Sequence, residues 1–200
     1  MQHRRSMPVV LLALLGAVFL LSACGPSNTV RLLPPPPLDA SVLPAPNAPS
    51  VSVVSFEDKR VDTSSVGVRR DGSAFTTSGD VAEWISRALA DELARSGFQV
   101  TFAANVNQAR SGNPDYLVTG QVDEVWLKEN SSLEITSQMR VKCALANRKG
   151  RLWSESCNAS QSRSGLPSGS TADNLLLDTL RDLVKPMAQK IVQTIDAKKN

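Results

Sequence analysis

The sequence predicts an α+β domain in which one antiparallel-dominated sheet carries helices on one face, with the element order β-α-β-β-β-β-α. Residues 81–93 and 176–195 repeat apolar side chains at spacings of three and four, which is typical of helices packed on a core. Residues 133–145 alternate apolar and polar side chains, as a strand with one solvated face does. The stretch from 50 to 200, about 150 residues, is long enough to build one such core.

A signal peptide is predicted before this domain, over residues 1–23. A basic start, Arg4-Arg5, precedes the uncharged run Val9–Leu21, which is shorter than the roughly 20 residues of a membrane-spanning helix. The run ends in Leu21-Ser22-Ala23-Cys24, which resembles the lipobox of bacterial lipoproteins. That resemblance implies cleavage before Cys24, with a diacylglycerol and an N-acyl chain on this cysteine and no other cofactor. A secretory signal with a chance cysteine is the alternative.

The next segment, residues 24–49, is predicted to be a lipid-anchored tether that buries almost nothing. Eight prolines lie between Pro26 and Pro49, and this composition favours extended polyproline II structure. At about 3.1 Å per residue the segment would span roughly 70 Å between lipid and domain. A proline-motif ligand for a partner is the alternative.

The domain is expected to begin with a β-rich strand at Val51–Phe56. The polar, glycine-containing stretch Glu57–Gly79 is then predicted to be a long loop, and loops of this length are uncommon unless they are functional or mobile. This loop is therefore the candidate contact with a partner, and a merely solvated loop is the alternative. The predicted binding residues are its charged side chains: Asp58, Arg60, Arg69, Arg70 and Asp71.

The clearest helix is predicted over Asp80–Ser96. Ser78 or Asp80 can cap its first turn, and Gly97 stands where a left-handed residue commonly ends a helix. A second strand follows at Gly97–Phe102.

Three more strands and a final helix complete the domain. The strands are expected at 115–127, 133–145 and 151–159, and a loop rich in Ser and Gly follows at 162–170. The helix is expected over Thr171–Ile195, with Pro186 kinking it or splitting it in two. Its apolar stripe is predicted to pack on the sheet, and a coiled-coil partner is the alternative.

Two cysteines remain besides Cys24. Cys143 and Cys157 lie on the two arms of a predicted hairpin, which brings them within a few residues of register. A disulfide is therefore expected in an oxidising compartment, where it would close a loop of about 15 residues and contribute roughly 3 kcal/mol. Two buried free thiols are the alternative.

The composition argues against several function classes. Without the signal peptide, 20 basic residues face 19 acidic ones and no histidine remains. A net charge near zero supplies no basic stripe for nucleic acid. The absence of histidine removes Ser-His-Asp and Cys-His nucleophilic sites and most zinc sites. We therefore expect no nucleic-acid binding, no metal site and no catalysis.

Short motifs recur in a familiar order: Asp58-Lys59-Arg60 after a strand, Arg95-Ser96-Gly97-Phe98 at a helix end, and Asp115-Tyr116-Leu117-Val118 in a later strand. With the lipobox and the proline-rich segment, this order is similar to the YajG-like family of outer-membrane lipoproteins. The resemblance covers nearly all of the mature chain and implies no established catalytic residues. Gly25, where inner-membrane retention would need aspartate, implies by analogy the periplasmic face of the outer membrane.

Two hypotheses of function follow. The first is a non-enzymatic, lipid-anchored adaptor that binds the membrane through its lipid and an envelope protein through an exposed surface. The second is an accessory component of lipid or lipopolysaccharide transport, of the ABC type or in outer-membrane assembly. This second role needs an apolar cavity between helix and sheet, for which Trp84, Trp126 and Trp153 are candidate walls. Tryptophans are, however, more often plain core.

Overall fold

The computed structural model describes residues 28–37, 44, 46–165 and 169–198. The predicted signal peptide and the predicted lipid site, Cys24, lie outside these residues. The described elements follow one another in this order: β1 Ser50–Val54, β2 Glu57–Asp58, β3 Gly67–Val68, β4 Ala74–Phe75, α1 Val81–Arg95, β5 Gln99–Ala103, α2 Val106–Ser111, β6 Tyr116–Ser131, β7 Glu134–Asn147, β8 Gly150–Ser164 and α3 Gly169–Asp196.

Strand β6 is the centre of the sheet. On one side it pairs with β7 in the antiparallel sense along most of its length, and β8 pairs with β7 in the same sense. On the other side it pairs in parallel with β1, then β2, then β3. The outer neighbours there are β5, parallel to β1, and β4, antiparallel to β3. The long antiparallel ladders dominate, which confirms the predicted fold class.

The two long helices cover one face of this sheet. Helix α1 lies over β1 and β5, α3 lies over β7 and β8, and the two helices contact each other. Full burial of one large apolar side chain stabilises a fold by about 1.5–3 kcal/mol, so these stripes make a large contribution. Both predicted stripes are buried: Val81, Trp84, Ile85, Ala88, Leu89 and Leu93 in α1, and Leu176, Leu180, Leu183, Val184, Met187, Ile191 and Ile195 in α3.

The ends of α1 follow the prediction. Asp80 is the cap, and its carboxylate accepts a hydrogen bond from the backbone N–H of Glu83 at 2.9 Å. Gly97 follows the helix with φ at 89°, a left-handed conformation that favours glycine.

Pro186 does not split α3, which continues as one helix from Gly169 to Asp196. Proline has no N–H to donate to the carbonyl four residues earlier, so one backbone hydrogen bond is missing here. Leu183 and Met187, on either side of the proline, are fully buried. Packing on the core therefore holds the residues on both sides of the proline in place.

Helix α2 is an element that the sequence did not reveal. Asn105 caps it by accepting a hydrogen bond from the N–H of Gln108 at 2.9 Å. Its buried Ala109 packs with Val54 and Ala103 in a small second core. Because Val53 points into the main core and neighbouring strand residues alternate, α2 lies on the opposite face of the sheet.

The predicted loop Glu57–Gly79 is in fact the edge of the sheet. It contains β2, β3 and β4, and it buries Val66 and Phe75. Strands of two residues show no alternation, so the pattern of the sequence did not indicate them. Gly67 has φ at 153° and lies so close to β6 that a Cβ would overlap the carbonyl of Leu127.

Residues 28–37, which we call the strap, lie within the predicted tether but pack on the domain. Val30 is 2% exposed, and its N–H donates to the carbonyl of Thr76 at 2.8 Å. The indole N–H of Trp84 donates to the carbonyl of Leu33 at 2.8 Å. The guanidinium of Arg31 donates to the carboxylate of Asp173 at 2.8 Å. The expectation that this part of the chain buries almost nothing is therefore wrong.

Candidate functional site

The Arg60 clamp, an ion pair between Arg60 and Asp58, fixes the start of the 57–79 segment. Nε and Nη2 of Arg60 donate to the two carboxylate oxygens of Asp58 at 2.9 and 2.8 Å. Nη1 donates to the carbonyl of Ser65 at 2.8 Å, which closes the turn between them. The Arg60 side chain is only 5% exposed. Burial raises the pKa of Asp58, but the hydrogen bonds and charge of Arg60 outweigh this effect and lower it.

A second set of hydrogen bonds stiffens the same turn. The backbone N–H and the hydroxyl of Ser64 donate to one oxygen of Asp62, and the Ser65 hydroxyl donates to the other. These bonds lower the pKa of Asp62 to about 2, so its carboxylate stays ionised. The turn is therefore fixed from both ends.

The result of this arrangement is an exposed valine in a rigid position. Val61, between the two fixed residues, has a relative exposure of 106%. Beside it lies a cavity of about 430 Å³, in which Trp126 is the largest apolar side chain. We call this region the Val61 surface. Its lining residues are Arg60, Val61, Asp62, Asp123, Glu124, Val125, Trp126 and Arg140.

The charges around the Val61 surface are paired with cations or anions except that of Asp62, which bonds to Ser64 and Ser65. Arg140 bonds to Glu124, and Lys142 pairs with Asp123 at 3.1 Å. Slight burial raises the pKa of Asp123, but hydrogen bonds from Gln121 and Lys142 outweigh it and lower that pKa. The surface thus has an apolar centre and a polar rim of ion pairs and one carboxylate, and an apolar centre with a polar rim is the common composition of a protein interface.

The other predicted binding residues lie elsewhere, on the turn between β3 and β4. Arg69 pairs with Glu129 at 3.1 Å and stacks over the Phe75 ring, so it is part of the structure. Asp71 accepts two hydrogen bonds from Ser73, which lower its pKa. Arg70 is exposed.

The predicted binding set is therefore divided between two places. Asp58 pairs with β6 at Val122, whereas Val68, before the β3–β4 turn, pairs at Lys128. At about 3.3 Å per residue these positions are roughly 20 Å apart along the strand. The structure brings Asp58 and Arg60 together, but it does not bring them to Arg69, Arg70 and Asp71. The residue that the sequence analysis missed is Val61, whose only signal is an apolar side chain between charged neighbours.

The three tryptophans do not line one cavity. Trp84 is a core residue of α1 that also bonds to the strap. Trp126 lies on the face of the sheet opposite α1, because its neighbours Val125 and Leu127 point into the core. Trp153 packs at the margin of the core, and its indole N–H donates to Glu155 at 3.1 Å.

A separate cavity of about 350 Å³ lies between α1, α3 and the strap. Ala88, Leu180 and Val184 form its apolar part, and Pro35 and Pro36 of the strap line one side. This cavity lies between two helices, not between helix and sheet as the transport hypothesis requires.

Cys143 and Cys157 are free thiols rather than the predicted disulfide. Cys143 lies opposite Glu155, and Cys157 lies opposite Val141, so the two cysteines are diagonal neighbours. Diagonal positions are about 7–8 Å apart, beyond the usual Cα separation of a disulfide. Burial raises the pKa of the Cys143 thiol, and the neighbouring Cys157 adds to this effect.

The described residues contain neither a cluster of metal ligands nor a membrane-spanning helix. No group of three or more His, Cys, Asp or Glu side chains in this part of the chain is arranged to hold a metal ion. Within the same residues, no helix has the length and apolar character needed to cross a membrane.

Comparison with known proteins gives a likeness of fold. No protein-family model and no curated protein matches this chain. The structure is similar to protein XCC0632 from Xanthomonas campestris, a DUF330 family protein, at 13% identity and a TM-score of 0.59, over 85% of this chain and 95% of that chain.

Two further solved structures are similar over less of the chain. The PelC dodecamer from Paraburkholderia phytofirmans is 21% identical, with a TM-score of 0.45 over 72% of this chain and 88% of that chain. Lipoprotein GNA1162 from Neisseria meningitidis is 18% identical, with a TM-score of 0.39 over 70% of this chain and 99% of that chain. None of these comparisons singles out the YajG-like family, so that resemblance stays a prediction. The likeness to the Xanthomonas protein shows that this chain shares its fold.

Proposed function

We propose that this protein is a lipid-anchored, non-enzymatic binding module on the periplasmic face of the outer membrane. We further propose that its Val61 surface docks an envelope protein. One observation carries the proposal: a fully exposed valine is fixed by a buried ion pair beside Trp126. The lipobox-like sequence ending at Cys24 supports the anchor, and the absence of histidine after His3 supports a role without catalysis.

The rigidity of the turn favours binding. Ordering a flexible loop on association costs free energy, and a loop that is already ordered avoids that cost. The Arg60 clamp and the Asp62 hydrogen bonds order this turn in the free protein. An exposed apolar side chain on an ordered turn is therefore a favourable anchor for a partner with an apolar recess.

The rim of the surface indicates what kind of partner fits. Glu124 and Asp123 are each paired with a cation, and the remaining charge, on Asp62, is negative, so this surface does not attract a polyanion. A folded protein with an apolar recess and a mixed polar rim matches this surface best.

The test is capture of the partner in intact cells. The full-length protein carries a C-terminal tag, and proteins crosslinked to it are identified by mass spectrometry, with Cys24→Ala as the mislocalised control. We expect Val61→Asp to reduce the enriched envelope protein at least tenfold, because it places a charge where an apolar contact forms. Gln193→Glu is the matched control, since it adds the same charge on an exposed site of α3, on the other face of the sheet.

Three outcomes decide between the readings. Loss of capture with Val61→Asp alone supports the adaptor and its surface. Equal capture by both variants contradicts the Val61 surface. Co-purification of lipid in place of any enriched protein contradicts the adaptor and favours the accessory role in lipid transport.

A further inference from the structure

The strap determines how far the domain is from its own lipid. The backbone of Thr76, the residue after β4, fastens the start of the strap. The N–H of Thr76 donates to the carbonyl of Asn28 at 2.9 Å, and its carbonyl accepts from the N–H of Val30. Arg31 is fastened to Asp173, whose side chain is only 3% exposed. The chain is therefore fixed to the domain along the strap, starting at Asn28.

The free length of chain is consequently short. Asn28 is the fourth residue after Cys24, and a fully extended chain spans at most about 14 Å over these four steps. If the strap were loose, the chain would be free from Cys24 to Ser50, and the domain could move away by roughly 90 Å. Docking of the strap turns a long spacer into a short one.

The position of Asn28 defines one end of the molecule. Nη1 of Arg69 donates to the side-chain oxygen of Asn28 at 2.7 Å, and Arg69 also pairs with Glu129 near the end of β6. Glu129 lies opposite Ile135, so the turn between β6 and β7 is at the same end. We call this the proximal end; the Asn147–Gly150 turn is at the other end of β7, the distal end.

The proximal end also has an exposed apolar side chain. Leu133, in the turn between β6 and β7, is 54% exposed. Among the described residues, the large hydrophobic side chains that are exposed are this leucine and Val61. The distal turn carries Arg148 and Lys149 instead, both exposed. Of these two turns, the proximal one therefore carries the exposed large apolar side chain that can enter the interfacial region of a bilayer.

We infer that the domain stands on the membrane with its proximal end down, Leu133 at the bilayer surface and the Asn147–Gly150 turn farthest from it. This inference rests on the lipidation of Cys24 proposed above. Strand β6 has 16 residues, or roughly 50 Å at about 3.3 Å each, so the distal turn faces away into the periplasm. The Val61 surface lies between the two ends, beside Trp126 of β6.

The test measures contact with lipid at the two ends. The photoreactive residue p-benzoylphenylalanine replaces Leu133 or Lys149 in the full-length, membrane-bound protein, and phospholipid adducts are measured by mass spectrometry after irradiation. We expect at least ten times more lipid adduct at position 133 than at position 149. Equal yields, or a higher yield at position 149, would overturn the inference.

A second variant tests the role of the strap. Val30→Asp/Arg31→Glu places two carboxylates against its docking site, and cleavage at Leu32 by thermolysin confirms its release. We expect this variant to lower the adduct at position 133 at least threefold, while Arg148→Glu, a charge change at the distal turn, leaves it unchanged. An unchanged yield after release contradicts the short anchor. If the variant does not fold, the comparison of positions 133 and 149 in the otherwise unaltered chain decides alone.

The same samples separate this inference from the proposed function. The mass of the N-terminal peptide shows whether Cys24 is acylated. An acylated chain with equal yields at both ends overturns the orientation only, whereas an unacylated chain overturns the anchor and the orientation together.

Discussion

Two irregular segments of this protein are each fastened by one arginine–aspartate pair, and the two pairs are built in opposite ways. In the Arg60 clamp the arginine is buried, at 5% exposure, and Asp58 is the more accessible partner. In the strap the aspartate is buried, at 3% exposure, and Arg31 is 72% exposed. The first pair joins residues two apart in the chain, and the second joins residues 142 apart.

This difference sets what each pair does. A buried arginine with several donors in use fixes the local shape of a turn, so the clamp acts as an internal part of the 57–79 segment. A solvent-exposed arginine on a buried aspartate is a reversible contact, because water and ions compete for the guanidinium. The clamp therefore maintains a surface, whereas the Arg31–Asp173 contact can open and close while Val30 stays packed in the core.

The largest effect is expected from breaking the clamp. Asp58→Ala leaves the buried guanidinium of Arg60 without its main acceptor, which should lower the free energy of unfolding by about 3 kcal/mol. Chemical denaturation of the mature protein measures this change. Glu57→Ala removes an exposed carboxylate of the same segment and should cost less than about 0.5 kcal/mol. Similar losses in the two variants would show that the burial of Arg60 does not determine the loss in free energy of unfolding.

A smaller effect is expected at the strap. Arg31→Ala should lower the free energy of unfolding by only about 1 kcal/mol, because water can replace the exposed guanidinium at the Asp173 carboxylate, which also keeps the backbone N–H of Arg31 at 2.9 Å. The variant should nevertheless be cut faster by thermolysin at Leu32 than the unaltered chain. A loss as large as that of Asp58→Ala would contradict the distinction between the two pairs.

The smallest effect is the part of the acid response that the clamp contributes. The pKa of Asp58 is lowered in the folded protein, so the unfolded chain takes up its proton first on acidification. The stability from this carboxylate is complete above about pH 4 and is lost as the pH falls through the lower folded pKa. Asp58→Asn should therefore lose less stability than the unaltered protein between about pH 4 and pH 2 in denaturation experiments. Parallel losses would assign the acid response to other groups, Asp62 first.

The parts of the fold that could be predicted are those with a continuous period. Helices α1 and α3 and the strand around Met139 repeat their apolar residues over ten or more positions, and local pattern was enough to identify them. The strap and the strands β2 to β4 are too short for any period. Contacts with distant residues, such as Asp173 and Leu127, determine where they lie, and a local pattern contains no information about such contacts.

The candidate site was predicted only in part for a related reason. The charged side chains of the 57–79 segment are the predicted binding residues, and binding requires that they are exposed. Arg70 and Asp71 are exposed. Arg60 is charged and buried, because its hydrogen bonds to Asp58 and Ser65 satisfy its donors. The side chain that the clamp leaves exposed is the apolar one, Val61. The proline-rich composition likewise predicts a backbone without internal hydrogen bonds, but not whether that backbone packs on something else.

The distance of 142 residues between Arg31 and Asp173 has a consequence for the order of events during biogenesis. Asp173 lies near the start of α3, the last described helix, so the Arg31 contact of the strap cannot form until this helix has packed on the sheet. Contacts between residues this far apart form late, after local structure has reduced the entropy of closing the loop. A nascent chain attached to the bilayer at its N-terminus would thus fold first while the segment between the lipid and the domain is still long and undocked. Closure of the strap would be the final step that draws the finished domain to the membrane.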